Sequence, residues 1–298
     1  MATFASSSLT IPTQLLDPFL GQVKYGSAVA ALSNQTPMKF GSGSLMTFNI
    51  GEAEYVGEGA AKGASTVTPT TKTVTPKKFH KTLRFNEEVL WADEDHQMGV
   101  VSSILDEIAL PLARALDFGV FHEINPTGGA VVAAMNGGLT DTTNSVEIAA
   151  AKAYTYIDAA DALVTADGFV PRDIALDPSW ASAFSSARGT NSEVKLYPNF
   201  SLATSPVSEL DGHRASVSNT VGAVGVAAVA TTVKAFVGDF SQIRWGIQKQ
   251  IGIEKIEYGD PDGSGDLKRN NQVAFRAEIV YGWGIASLDA FCKVIDAA

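Results

Sequence analysis

Residues 258–266 read Tyr-Gly-Asp-Pro-Asp-Gly-Ser-Gly-Asp, which puts Asp260, Asp262, Ser264 and Asp266 on alternate positions. Alternating oxygen donors around a sharp glycine turn are how a calcium loop wraps its ion, and Gly265 stands where that turn would be. Such a loop needs a bidentate Glu at its twelfth position, whereas this chain has Asn271 there, and neither flank carries a helical period. The stretch reads as a solvated loop made from Asp and Gly turn chemistry, with no metal assigned.

Other chemistry is thinner. Gly57-Glu58-Gly59-Ala60-Ala61-Lys62 lacks the third glycine of a dinucleotide fingerprint and precedes no helix, so its glycines suit a hairpin tip better than a phosphate cradle. His80, His96, His122 and His213 stand in four separate segments, with neither zinc-helix spacing nor a Gly-x-Ser-x-Gly elbow nearby. Cys292 lies inside the apolar run Leu288 to Ile295, where a thiol acts as a small hydrophobe. The expectation is no catalytic residue, no cofactor and no enzyme.

The elements that hold these residues are clearer. Residues 1–40 mix Ser and Thr with turn residues and keep no helical period for two turns, as expected of an extended arm. In residues 41–85, Leu45, Thr47 and Asn49 alternate with Met46, Phe48 and Ile50. Lys77 to Phe85 reads as the returning strand of a long hairpin, with Phe79, Lys81, Leu83 and Phe85 on one face. Two strands around a small-residue tip bury almost no core of their own.

Asp93 to Asp95 offer an N-cap and acidic first-turn charge for a helix over Gln97 to Phe121. Its apolar stripe is Val101, Ile104, Leu105, Ile108, Leu112, Leu116 and Val120, and Pro111 predicts a bend near Glu107 to Leu110. Asn125 and Pro126 are expected to end it. Asn144 and Glu147 have capping-box spacing before a second helix with the face Ala150, Tyr154, Ile157 and Leu163 or Val164. Ile174 to Leu176 reads as a strand. Asp177 and Pro178 start a third helix that buries Trp180, Phe184 and Ala187 and stops at Gly189. Ile243, Trp245 and Ile247, then Val273, Phe275, Ala277, Ile279, Tyr281 and Trp283, alternate as strands. A helical middle between β-rich ends makes the chain α+β.

Composition narrows the function. Over 298 residues, 45% are hydrophobic, which is enough for a core, while only 18% are charged against roughly 25% in an average soluble domain. A low-charge surface of small residues suits subunits covered by their neighbours. Lys and Arg total 22 and Asp and Glu 32, for a net charge of −10, the opposite of the balance that grips phosphates. A lone cysteine suits a reducing cytosol, and no apolar run is long enough to span a bilayer, so no membrane partner is expected.

The order of elements, together with Ala53-Glu-Tyr-Val-Gly-Glu-Gly59, Val74-Thr-Pro-Lys-Lys-Phe-His80, Leu176-Asp-Pro-Ser-Trp-Ala-Ser-Ala-Phe184, Phe236-Val-Gly-Asp-Phe-Ser241, Phe275-Arg-Ala-Glu-Ile-Val-Tyr-Gly-Trp-Gly284 and Asp289-Ala-Phe-Cys292, resembles the Hong Kong 97-like major capsid proteins of tailed bacteriophages over nearly the whole chain. The resemblance implies an N-terminal arm at 1–40, an E-loop hairpin at 41–85 and a peripheral domain with a long spine helix at 86–145. An axial domain would follow at 146–231, and C-terminal strands completing both domains at 232–298.

It further implies self-assembly through hexamers and pentamers into an icosahedral virion shell, built in the bacterial cytoplasm around double-stranded DNA without sequence-specific binding. Portal and decoration proteins are the implied partners, and because the chain starts almost directly at the arm, scaffolding, if needed, is expected from a separate protein, or else the chain is an already processed form. Gly57, Gly59, Lys62 and Thr73 of the E-loop are the implied intersubunit contacts. Some relatives join an E-loop lysine to an asparagine of a neighbour, for which Lys62 or Lys72 with Asn270 or Asn271 would be the residues here. Two alternatives stay open: an encapsulin-type shell around protein cargo, and a soluble hydrolase or binding module.

Overall fold

The computed structural model describes residues 26–296 except 40, 51, 65–66, 89–90, 92–106, 136, 150–151, 190–192, 205 and 224–231. Most of the expected arm, the acidic N-cap at Asp93 to Asp95 and the first half of the expected long helix therefore lie outside the described residues.

The elements are α1 (Ala28–Leu32), β1 (Asn34–Gln35), β2 (Gly43–Ile50), β3 (Val67–Val74), β4 (Lys77–Asn86), α2 (Ala109–His122), β5 (Ser145–Ile148), α3 (Ala153–Ala166), β6 (Asp173–Leu176), α4 (Pro178–Ser186), β7 (Ser208–Leu210), β8 (His213–Val217), β9 (Val233–Gly238), β10 (Ile243–Ile256), β11 (Gln272–Ile285) and β12 (Phe291–Asp296). They form a four-stranded sheet in the order β1-β10-β11-β4, a six-stranded sheet in the order β5-β12-β9-β6-β8-β7, and a two-stranded sheet of β2 and β3.

Period-2 patterning decides the packing of both large sheets. In the six-stranded sheet Ala175, Phe236 and Phe291 face one core, whereas Ile174, Leu176, Ala235, Val237, Cys292 and Val294 face the other. The sheet is thus buried on both sides. The first core also takes Leu112, Leu116 and Val120 of α2 and Trp245, Ile279, Tyr281 and Trp283 of the four-stranded sheet. The second is closed by Tyr156, Ile157, Ala160 and Val164 of α3 and by Trp180 and Phe184 of α4. Each fully buried Val, Leu, Ile or Phe side chain among them contributes about 1.5–3 kcal/mol. Burial also pushes the Cys292 thiol up to about 12.

Several expectations are corrected. The strand Lys77–Asn86 does not return the hairpin; it pairs along β11 from Tyr281↔Lys77 to Gln272↔Asn86. The true return is Val67–Val74, a Thr-rich segment whose exposed face lacks the apolar alternation that marks a strand. Asn144 and Glu147 cap no helix: residues 145–148 are β5, paired in parallel with Lys293 to Asp296, and α3 starts at Ala153. Tyr154 is only half-buried while Tyr156 is buried, and of the 163/164 pair Val164 is the core residue. The third helix ends at Ser186, so Ala187 is its C-cap, half-buried, and not part of its buried face. Its start is as expected, with Asp177 accepting from the Ser179 amide and Pro178 in the first turn.

Near Pro111, helical structure is interrupted at Ile108 before α2 begins. Proline cannot donate to the carbonyl four residues back, here Glu107. The helix runs to His122 and is closed by Glu123 in the left-handed region at φ 56°, ahead of Asn125 and Pro126. Among the described residues no helix is long and apolar enough to cross a membrane.

Candidate assembly surface

The β2–β3 hairpin is anchored at its base and bare beyond it. Val74 is buried against Gly282 and Gly284 of β11, where a Cβ at Gly284 would lie 2.8 Å from Val74 Cγ2. Lys72 Nζ donates to the Ile285 carbonyl at 3.1 Å. Lys77 Nζ donates to Thr75 O at 2.9 Å and sits 4.7 Å from the centre of the Trp283 ring. Burial lowers the Lys77 pKa, with Glu123 opposing that shift.

Alternation splits the hairpin into two faces. Leu45 and Thr47 are half-buried on one side, while Met46, Phe48, Ile50 and Val67 on the other are 51–66% exposed. The register sets Ile50 opposite Val67 and Phe48 opposite Pro69, so the exposed apolar side chains form one continuous stripe. Tyr55 stands free in the loop beyond. A two-stranded sheet of this kind has no core to stabilise it, and an apolar stripe left in water marks a contact surface.

The expected contact residues all lie on this unit. Gly57 and Gly59 belong to a turn closed by Ala60 N donating to Gly57 O at 3.1 Å, and Gly59 has φ +80°, a left-handed conformation that favours glycine. Lys62 is exposed on the loop, and Thr73 is exposed on β3 opposite Ser44. Lys72 sits at the Ile285 end of β11, whereas Asn270 and Asn271 precede its Gln272 end. Fourteen residues of strand put them roughly 40 Å apart within one chain.

At the far end of β10 and β11, the Asp-rich loop holds a cation of the chain's own. Arg84 of β4 enters it, its Nε donating to Asp262 Oδ2 at 3.1 Å and its Nη2 to Asp260 Oδ1 at 3.2 Å and Gly265 O at 2.9 Å. A further bond joins Nη2 to Asp262 Oδ1, and Nη1 donates to Gln272 Oε1 at 3.0 Å. The hydrogen bond from Arg84 holds the Asp262 carboxyl below its usual range. No group of three or more His, Cys, Asp or Glu among the described residues is placed to hold a metal ion.

The described histidines stay apart. His80 is exposed on β4. His122 Nε2 donates to Val221 O at 2.9 Å, and burial lowers its pKa. His213 Nε2 meets Asp161 Oδ1 at 3.0 Å. His96 lies outside the described residues. The sequence reading missed Arg84 and also Asp117, although Asp117 falls four residues after Ala113 on the buried side of a helix, where a charge is out of place.

A model of the phage capsid family matches residues 7–295. The chain belongs to the phage capsid family. A solved structure from Mycobacterium phage Ogopogo is 41% identical, with 91% of this chain and 92% of that one covered and a TM-score of 0.79. One from Gordonia phage Cozz is 28% identical, covering 91% and 87%, with a TM-score of 0.73. A structure described as the capsid of a native GTA particle shares the fold at 15% identity, covering 91% and 90%, with a TM-score of 0.59. No curated protein matches the chain. This capsid protein is a structural component of a virion, with the Hong Kong 97-like major capsid fold, and it assembles with itself into an icosahedral shell.

Proposed function

We propose that the chain forms the hexamers and pentamers of a tailed-phage head around double-stranded DNA, and that the β2–β3 hairpin is the joint between subunits. The observation that carries the joint is the stripe of Met46, Phe48, Ile50 and Val67 on a sheet too small to stabilise itself. In this reading residues 43–74 are the E-loop, shorter than the 41–85 expected from sequence because β4 belongs to the four-stranded sheet. That sheet with α2 is the peripheral domain, and the six-stranded sheet with α3 and α4 is the axial domain. Gly57 and Gly59 let the tip change angle, while Lys62 and Thr73 face the neighbour.

DNA is enclosed and not gripped. The net charge of −10 supports a wall that lets the polymer pack without sticking. A separate scaffolding protein, a portal and decoration proteins complete the particle, and the host cytoplasm is the site of assembly. The joint is tested by Phe48→Asp combined with Ile50→Asp. The subunit should stay soluble and melt cooperatively, while electron microscopy shows no closed shells; normal shells would mean that the stripe is not a joint. Recovery of nuclease-protected DNA from particles supports the phage-head reading, whereas protein cargo without DNA would favour an encapsulin.

A further inference from the structure

Residues 27–41 are tied to the rest of the fold at a series of points that no local pattern predicts. The carboxylate of Asp117, buried on α2, accepts from the Ala28 amide at 2.9 Å and the Val29 amide at 3.1 Å. It also accepts from the hydroxyls of Ser27 and Thr220, the latter at 2.6 Å. All four acceptor positions of the carboxylate are used, and three chain segments meet on one side chain. Ser27 in turn accepts from the Ala30 amide at 3.0 Å. At the other end of α1, Arg214 of β8 donates to the Leu32 carbonyl and pairs with Asp173 of β6 at 2.9 Å. A five-residue helix has too few internal bonds to persist alone, so these two side chains hold it.

Beyond α1 the same segment changes sheets. Asn34 and Gln35 pair in parallel with Arg244 and Trp245 of β10, and the Thr36 amide donates to Trp245 O at 2.7 Å. Gly246 leaves room for the Thr36 carbonyl, where any Cβ would overlap it, and Met38 fills the space above Gly282 in the same way. Gln248 Nε2 donates to Lys39 O at 2.9 Å and to Gly41 O at 2.8 Å. Two residues later the chain becomes β2.

We infer that residues 27–41 are a strap, latched by Asp117 and Arg214, that fixes the six-stranded sheet against the four-stranded sheet and the hairpin base. Each large sheet has core residues independent of the strap, such as Phe184 and Val237 in one and Phe275 with Phe85 in the other. Loss of the latch therefore loosens the strap without melting those layers. A shell needs every subunit to present its joints at a set angle, so the strap governs the uniformity of the particle and not the existence of the fold.

Hydrogen exchange by mass spectrometry on disassembled subunits tests this. Asp117→Asn puts an amide donor in place of one carboxylate oxygen, against either the Ala28 or the Val29 N–H, so exchange in residues 27–36 should rise at least tenfold, with 272–285 unchanged. Unchanged exchange in 27–36, or an equal rise in 272–285, overturns the strap. Should Asp117→Asn fail to fold, Arg214→Met decides, made together with Asp173→Asn because the Arg214 side chain is 58% exposed but its Asp173 partner is buried and would otherwise be left as an unpaired charge. The same confined rise is expected, and its absence overturns the proposal. Shells assembled from this double variant should show a broadened diameter distribution by electron microscopy. A loosened strap with shells as uniform as the parent's would remove its role in geometry.

Discussion

Arg84 and Asp262, 178 residues apart, form a two-point guanidinium–carboxylate pair that closes the loop between β10 and β11. The loop looks like a calcium site in sequence because its oxygens are arranged around a cation, and that cation is the arginine. Two predictions come from this pair. Millimolar calcium should leave the melting temperature of the parent subunit unchanged. Arg84→Met should speed exchange of the Ser264 and Gly265 amides, which donate to Asp262 at 3.2 Å and Asp260 at 3.0 Å. A calcium-dependent rise in the parent's melting temperature would show that the guanidinium does not fill the site.

Two glycines in strands should respond oppositely to alanine. A Cβ at Gly238 of β9 would overlap the Ala290 carbonyl, and backbone cannot rotate away, so Gly238→Ala should cost about 1–3 kcal/mol. Gly252 of β10 has open space around its Cβ position, so Gly252→Ala should be neutral or gain up to about 0.4–1 kcal/mol by restricting the unfolded chain. Urea melts of unassembled subunits check both; equal effects would mean that the β9–β12 packing is looser than described.

The His213–Asp161 contact between β8 and α3 predicts a pH dependence. Burial opposes the imidazolium, but the hydrogen bond and charge of Asp161, with the Leu210 and Asp211 backbone, outweigh it and raise the His213 pKa. A raised histidine contributes stability that is fully present below its unfolded value of about 6.5. That stability is lost as pH rises through the folded value. Melting temperature should therefore fall across this window in the parent, and Asp161→Asn should flatten the fall. A parent curve that rises through the same window would show that desolvation wins.

How much of this was legible in the sequence depends on whether a residue's neighbours are local. Phe79, Leu83 and Phe85, or Ile279, Tyr281 and Trp283, announce their strands because one face of each is buried and the alternation is strong. Val67–Val74 does not, since its seven leading residues are exposed and only pairing with β2 makes it a strand. The Asn144–Glu147 pattern is a true capping spacing, but β12 offers residues 145–148 a parallel partner 148 positions away, and that pairing wins. The hairpin's two faces were visible as alternation, yet which face packs on β11 is set by Gly282 and Gly284, far along the chain. Asp117 was visible only as an anomaly, a carboxylate among apolar neighbours; its four donors come from segments 27–29 and 220.

The single thiol of Cys292, shut inside the second core with its proton held tightly, has a consequence for the assembled particle. The chain has no second cysteine and Cys292 is buried, so a disulfide between copies of this chain would require the second core to open. The same silence makes the protein a clean background for chemistry: a cysteine introduced at Gly57, whose Cβ position is open, would be an exposed site for maleimide dyes or bifunctional linkers on the hairpin tip.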